Sequence, residues 1–252
     1  MNRKPNLLLD LDQTLISAEE PHDIRDMKHE KKKHFKMYNM DDEFHIFCRP
    51  KLQEFLDYAF KNFNVSIWTA ASKDYALFII EKIITRPHRK PDFIFFSYHC
   101  DISKKEKKYA KNLKMLWDVY KLDGYTKDNT FILDDYIEEV HQCQPNNCII
   151  APPFEVTKKN SENDDFFEKL IPELEKLKKR IENKDANLCS SIKTYKTTII
   201  YKQPYKLYIP LIIYNFTEIT YRNKIEYKKT VMRINKNKLC VKRILKNRTL
   251  SF

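Results

Sequence analysis

Apolar residues along this chain come in two rhythms. Short unbroken blocks read as buried strands, and stretches with apolar positions every three or four residues read as amphipathic helices. The first block, residues 6–9, predicts a strand ending at Asp10. Blocks at 35–40 and 44–48 predict two strands, joined in a hairpin through Asp41 and Asp42. Pro50 then opens a helix whose Leu52, Phe55, Leu56, Ala59, Phe60 and Phe63 share one face. A strand at 65–68 ends at Thr69, and Ser72 caps a helix carrying Ala76, Ile79, Ile80 and Ile83. Residues 93–96 are strand-like and lead into a lysine-rich loop, then a helix bearing Leu113, Leu116 and Val119. Residues 130–133 form a further strand ending at Asp134 and Asp135, and 148–150 another. Asp164 caps a last helix that turns Phe167, Leu170, Leu174, Leu177 and Ile181 inward.

Strands that alternate with amphipathic helices predict an α/β fold, a parallel sheet covered on both faces. Such sheets bind ligands beyond the carboxyl ends of their strands. Asp10, Thr69, Asp134 and Asp135 all fall at predicted strand ends. After residue 190 the rhythm changes to β-like runs rich in tyrosine and lysine, which predicts a small β-rich module at 186–252 behind a main domain at 1–185.

Charge sharpens that division. Residues 1–180 carry 31 Lys/Arg and 31 Asp/Glu, whereas 181–252 carry 16 and 4, so the whole net charge of +12 lies in the tail. A basic tail of this kind suits nucleic acid or an acidic protein as partner. The chain has one glycine, Gly124, which excludes the dinucleotide-binding GxGxxG loop and the Walker A loop. Six cysteines form no CxxC pair and, with no export signal, are expected to be reduced thiols. His141, Cys143 and Cys148 are poorly spaced for a metal and lack a fourth ligand. The uncharged run at 207–217 is shorter than the roughly 20 residues a membrane-spanning helix needs. An intracellular protein is expected, and the basic segments at 28–36 and 241–248 suit the nucleus.

The chemistry concentrates in Leu-Leu-Leu-Asp-Leu-Asp-Gln-Thr-Leu, residues 7–15. Two carboxylates directly after a buried strand are costly unless a cation compensates them, and a hard divalent ion takes oxygen ligands. The segment resembles motif I (DxDxT) of the haloacid dehalogenase (HAD) superfamily. Arg49-Pro50, Trp68-Thr69-Ala70-Ala71-Ser72, Tyr109-Ala110-Lys111-Asn112-Leu113, Ile132-Leu133-Asp134-Asp135 and Gln144-Pro145-Asn146-Asn147 follow in order. With the helix begun by Asp164, the set resembles the FCP/SCP (NLI-interacting-factor-like) phosphatases, which act on phosphoserine and phosphothreonine in proteins such as the RNA polymerase II C-terminal domain.

The resemblance implies a HAD-like Rossmannoid sheet and Mg²⁺. It casts Asp10 as nucleophile and Asp12 as general acid and base. Asp10, Asp135 and the Asp12 carbonyl become the metal ligands. Thr69 and Lys111 contact the transferring phosphoryl group, Thr14 shapes the substrate-binding loop, and Asp134 orients Lys111 or the metal shell. Asp135 stands where relatives often carry asparagine, and residues 96–100 lack an arginine that relatives often place there. The lysine-rich, glycine-poor composition with an added tail resembles viral members, including the baculovirus-type nucleocapsid-assembly phosphatase. A phosphorylated protein is the expected substrate. A phosphatase of polynucleotide ends, and a nucleocapsid-assembly or scaffold protein on the same fold, are the alternatives.

Overall fold

The computed structural model describes residues 4–182; the predicted β-rich module, the basic tail and the boundary at residue 185 lie outside the described residues. Five parallel strands form the central sheet: β1 (Asn6–Leu9), β5 (Asn64–Trp68), β6 (Ile94–Phe95), β7 (Thr130–Asp134) and β8 (Cys148–Ile150), in the order β6-β5-β1-β7-β8. β1 lies at the centre, with Leu9 level with Ile67 on one side and Leu133 on the other. Every residue of β1 is buried, Leu7, Leu8 and Leu9 as an apolar run requires of a strand covered on both faces, and Asn6 with its amide donating to the Gly124 carbonyl and the Thr130 hydroxyl.

One face of the sheet carries α2 (Leu52–Asn62) and α5 (Phe166–Glu182), which meet where Phe55 stacks on Phe167 at 4.4 Å. The other face buries Leu8, Trp68, Ile132 and Cys148 under Cys100, Leu113, Met115, Leu116 and Val140. The remaining strands form a separate antiparallel sheet in the order β2-β4-β3, comprising β2 (Ile16–Glu19), β3 (Met37–Met40) and β4 (Phe44–Cys48). Beneath it Ile24, Phe35, Phe47, Phe154 and Val156 make a small second core. Asp41 and Asp42 turn the β3–β4 hairpin with φ of 51° and 57°, the left-handed pair that short hairpins favour.

Several expectations need correction. The segment at 97–107 is a helix, α4 (Ser97–Lys107), rather than a lysine-rich loop. Its inward face is His99, Cys100 and Ser103, so it lacks the large apolar periodicity that would have betrayed it. The expected helix through Leu113, Leu116 and Val119 is a single wide turn at Met115–Val119. β2 pairs with β4 although its four residues are too few for an alternation to register. Pro50 stands outside α2, because Lys51 turns left-handed at φ 62° and the helix starts at Leu52. Ser72 does occupy the N-cap of α3 (Lys73–Ile79), but its side chain makes no capping bond. Asp164 does cap α5, accepting from the Phe166 N–H at 3.2 Å.

Lys108, which is exposed, ends α4 in the left-handed region at φ 69°. A side chain with a Cβ costs about 1 kcal/mol there, and glycine does not. Lys108→Gly is therefore expected to raise stability by about 1 kcal/mol and the melting temperature by roughly 2–4 °C, read by thermal denaturation.

Candidate active site

β1 and β7 deliver three carboxylates to one place. Asp10 follows β1, Asp134 ends β7 and Asp135 follows it, and oxygens from all three lie within 4.8 Å of one another. The adjacency comes from register: Leu9 pairs with Leu133, and the Asp10 N–H continues the ladder to the Leu133 carbonyl at 3.0 Å. Asp134 is 1% exposed and Asp10 5%.

Lys111 enters this cluster from the far side. Its ammonium donates to Asp10 Oδ1 at 2.5 Å and to Asp134 Oδ2 at 2.7 Å. Burial alone would depress the lysine, but the charges of Asp10 and Asp134 outweigh it and hold it well above its ordinary range. Asp134 Oδ1 accepts from the Tyr136 N–H at 2.9 Å, so both of its oxygens are engaged. Thr14, fully buried, donates its hydroxyl to Asp135 Oδ1 at 3.2 Å.

The motif loop is wound tightly around Asp12. Gln13 takes a left-handed φ of 58°, the Leu15 N–H returns to the Leu11 carbonyl, and Tyr75 donates its hydroxyl to Asp12 Oδ1. Thr69 follows β5, which pairs alongside β1, and is fully buried. Its oxygen accepts from the Ala71 N–H at 3.0 Å, which leaves the hydroxyl proton to be donated elsewhere.

This constellation carries an excess of negative charge. Burial, and then the charges of Asp10 and Asp134, push the Asp135 carboxyl up to about 8 against the opposing pull of Lys111. Asp134 is raised to about 6, by burial first. Asp12 also reaches about 6, through burial and the neighbouring Asp10 charge, with the Tyr75 hydrogen bond pulling it back. One lysine does not balance four carboxyl groups. An all-oxygen donor set with a deficit of positive charge fits a hard divalent cation; of the three clustered carboxylates, Asp134 has both oxygens engaged, whereas Asp10 and Asp135 each have one oxygen held by a side chain.

The profile of the NLI interacting factor-like phosphatases matches residues 5–186. The chain belongs to that family. The chain is 50% identical over 166 residues to a CTD phosphatase-like protein of Invertebrate iridescent virus 6, covering 63% of this chain and 91% of the relative. It is 42% identical over 186 residues to the counterpart in Invertebrate iridescent virus 3, covering 70% and 98%. The kinship expected with viral members is thus met by two iridescent-virus relatives. In fold it resembles the structure of Fcp1, an RNA polymerase II CTD phosphatase, with TM-score 0.50, 14% identity, and 76% of this chain and 67% of that one aligned. The α/β fold and the phosphoprotein phosphatase class expected from the motifs stand. No helix among the described residues is long and apolar enough to cross a membrane.

Structure gives a role to Gln144, which the motif set included without one, and brings forward Ser103 and Tyr75, which motif reading passed over. Gln144 grips the Lys111 segment from both sides, donating to the Lys111 carbonyl and accepting from the Leu113 N–H, each at 2.8 Å. Ser103 holds the same segment, accepting from the Asn112 N–H at 3.0 Å and donating to the Tyr109 carbonyl at 2.6 Å. Ser103 offered no signal, because the helix that carries it reads as a loop in the sequence. Tyr75 offered none, because an aromatic residue on a helix reads as core.

Proposed function

We propose that the chain is a Mg²⁺-dependent phosphatase of phosphoserine and phosphothreonine in proteins, working through an aspartyl-phosphate on Asp10. The observation that carries this reading is the convergence of Asp10, Asp134 and Asp135 around the Lys111 ammonium in a chain of the phosphatase family.

In the first step an Asp10 oxygen attacks phosphorus in line. The bond from phosphorus to the seryl oxygen breaks, and Asp12 gives that oxygen its proton. In the second step water attacks the phosphorus of the aspartyl-phosphate, Asp12 takes the water's proton, and inorganic phosphate leaves Asp10 regenerated. An Asp12 carboxyl raised to about 6 is suited to both directions of transfer near neutral pH. Lys111 and Thr69 serve as fixed donors to the phosphoryl oxygens, where charge is spread in the transition state. Asp10, Asp135 and the Asp12 carbonyl would hold Mg²⁺, which when bound would neutralise charge shared by nucleophile and phosphate. Thr14 keeps Asp135 in place, and Asp134 keeps Lys111 in place. The substrate class proposed is a phosphorylated nuclear or virion protein, such as the RNA polymerase II C-terminal domain acted on by Fcp1.

Phosphate release is measured from a phosphoserine peptide and from a 3′-phosphorylated oligonucleotide, with Mg²⁺ and with a chelator. Hydrolysis of the peptide is expected, at least about tenfold faster than the oligonucleotide, and falling about 100-fold or more on chelation. The opposite substrate order favours the polynucleotide-end alternative, and hydrolysis of neither favours the scaffold.

A further inference from the structure

Tyr75 is the third residue of α3, just beyond the loop at 69–72, and no chemical role falls to it in the reading above. Its hydroxyl nevertheless donates to Asp12 Oδ1, and among the described residues no second side chain hydrogen-bonds to Asp12. We infer that Tyr75 is a positioning residue acting through Asp12: it tethers one carboxyl oxygen so that the other faces the departing seryl oxygen. The inference rests on the role proposed for Asp12.

Three observations support it. The tether comes from a different element than the loop that bears Asp12, so it fixes the carboxyl against rotation about its own side-chain bonds. The Tyr75 ring is itself fixed, packed edge-on against Phe44 of β4 at 5.7 Å with an interplanar angle of 82°. The hydroxyl is a dependable donor, since a phenol keeps its proton at neutral pH. A carboxyl that must first give a proton and later accept one gains from a partner that holds one oxygen throughout. The small antiparallel sheet is thereby linked to the reacting group through Phe44 and Tyr75.

Leaving-group chemistry separates this role from a merely structural one. A seryl oxygen departs as a strongly basic alkoxide and needs the proton, whereas nitrophenolate departs well without it. The ratio kcat/KM reports steps up to phosphoenzyme formation, where that proton is delivered. The full chain is assayed as wild type, Tyr75→Phe, Asp12→Asn and the double variant, on a phosphoserine peptide and on p-nitrophenyl phosphate. Tyr75→Phe is expected to lower kcat/KM about tenfold or more for the peptide and no more than about threefold for the aryl ester, a part of the 10²–10⁴-fold that a general acid supplies. In the Asp12→Asn background, adding Tyr75→Phe is expected to change kcat/KM less than twofold, because the group it acts through is gone. Phe44→Ala, which keeps the hydroxyl but frees the ring, is expected to give the same selective loss in smaller measure. Equal losses on both substrates, or the full loss persisting in the Asp12→Asn background, overturn the inference. Wild type that turns over neither substrate overturns the phosphatase reading, and this inference with it.

Discussion

Asp10→Asn is expected to abolish turnover, with kcat falling by more than about 10⁴-fold, while the protein remains folded. Asparagine has nearly the volume of aspartate and keeps one oxygen for Lys111, so packing at the end of β1 is preserved. What disappears is the anionic oxygen that forms the bond to phosphorus, and losses of this order follow removal of a nucleophile. The charge arithmetic argues that stability does not fall with activity. Asp10 is one of three carboxylates, two of them buried, whose oxygens lie within 4.8 Å of one another, and its charge helps raise both Asp134 and Asp135. Neutralising it removes three repulsions, that on Asp12 included, at the cost of weakening one ion pair to Lys111. The melting temperature without added metal is therefore expected to stay within a few degrees of wild type or to rise. Wild type mixed briefly with phosphopeptide and quenched should carry phosphate in a linkage cleaved by hydroxylamine, as an acyl phosphate is, and Asp10→Asn should carry none. Asp10→Asn that keeps more than a tenth of wild-type activity would remove Asp10 from the nucleophile's role.

How much of this could be read in advance depended on what kind of signal each residue leaves. β1, β5, β7 and β8 were legible because a strand covered on both faces is a predominantly apolar run, in β5 interrupted only at Ser66 between Val65 and Ile67. β1 and β8 even kept their predicted limits. α2 and α5 were legible because each presents one apolar stripe to the sheet. α4 was not, since the residues it buries are His99, Cys100 and Ser103, small or polar side chains that bond to neighbouring backbone where they pack and so leave no large apolar stripe. His99 illustrates this: its ring stacks on Phe95 at 4.3 Å and its Nδ1 accepts from the Phe96 N–H at 2.9 Å. The carboxylates of the site announced themselves through their expense after buried strands. The roles of their supporting shell did not, because Gln144, although part of the motif set, and Ser103 act through backbone groups, and a contact with a carbonyl leaves no spacing in the sequence. Tyr75 touches Asp12 across 63 positions, a relation that only the fold creates.

Arg49→Met is expected to cost about 3 kcal/mol of stability and to lower the melting temperature by roughly 6–12 °C. Arg49 was noticed only as half of an Arg-Pro pair, yet its side chain is fully buried and carries a dense set of contacts. Nε and Nη2 reach the two oxygens of Asp164 at 2.8 Å each, and Nη1 donates to the Thr14 carbonyl at 3.1 Å. The guanidinium also lies over the Phe166 ring at 4.4 Å. Methionine matches the length and suits the aromatic surroundings, so packing is largely kept. The loss comes from what is left behind: a largely buried Asp164 carboxylate and a buried Thr14 carbonyl, both without their donors. If that is the cause, removing the stranded charge should help. Arg49→Met with Asp164→Asn is expected to be more stable than Arg49→Met alone, because asparagine can still accept from the Phe166 N–H while carrying no charge. Activity should fall as well, below the melting transition, since the Thr14 carbonyl that Arg49 holds belongs to the residue whose hydroxyl steadies Asp135. Denaturant unfolding of the three proteins checks the ordering. An Arg49→Met variant within 1 kcal/mol of wild type would mean that the ring stack and the neighbouring core, rather than the ion pair, fasten α2 and α5 to the motif loop.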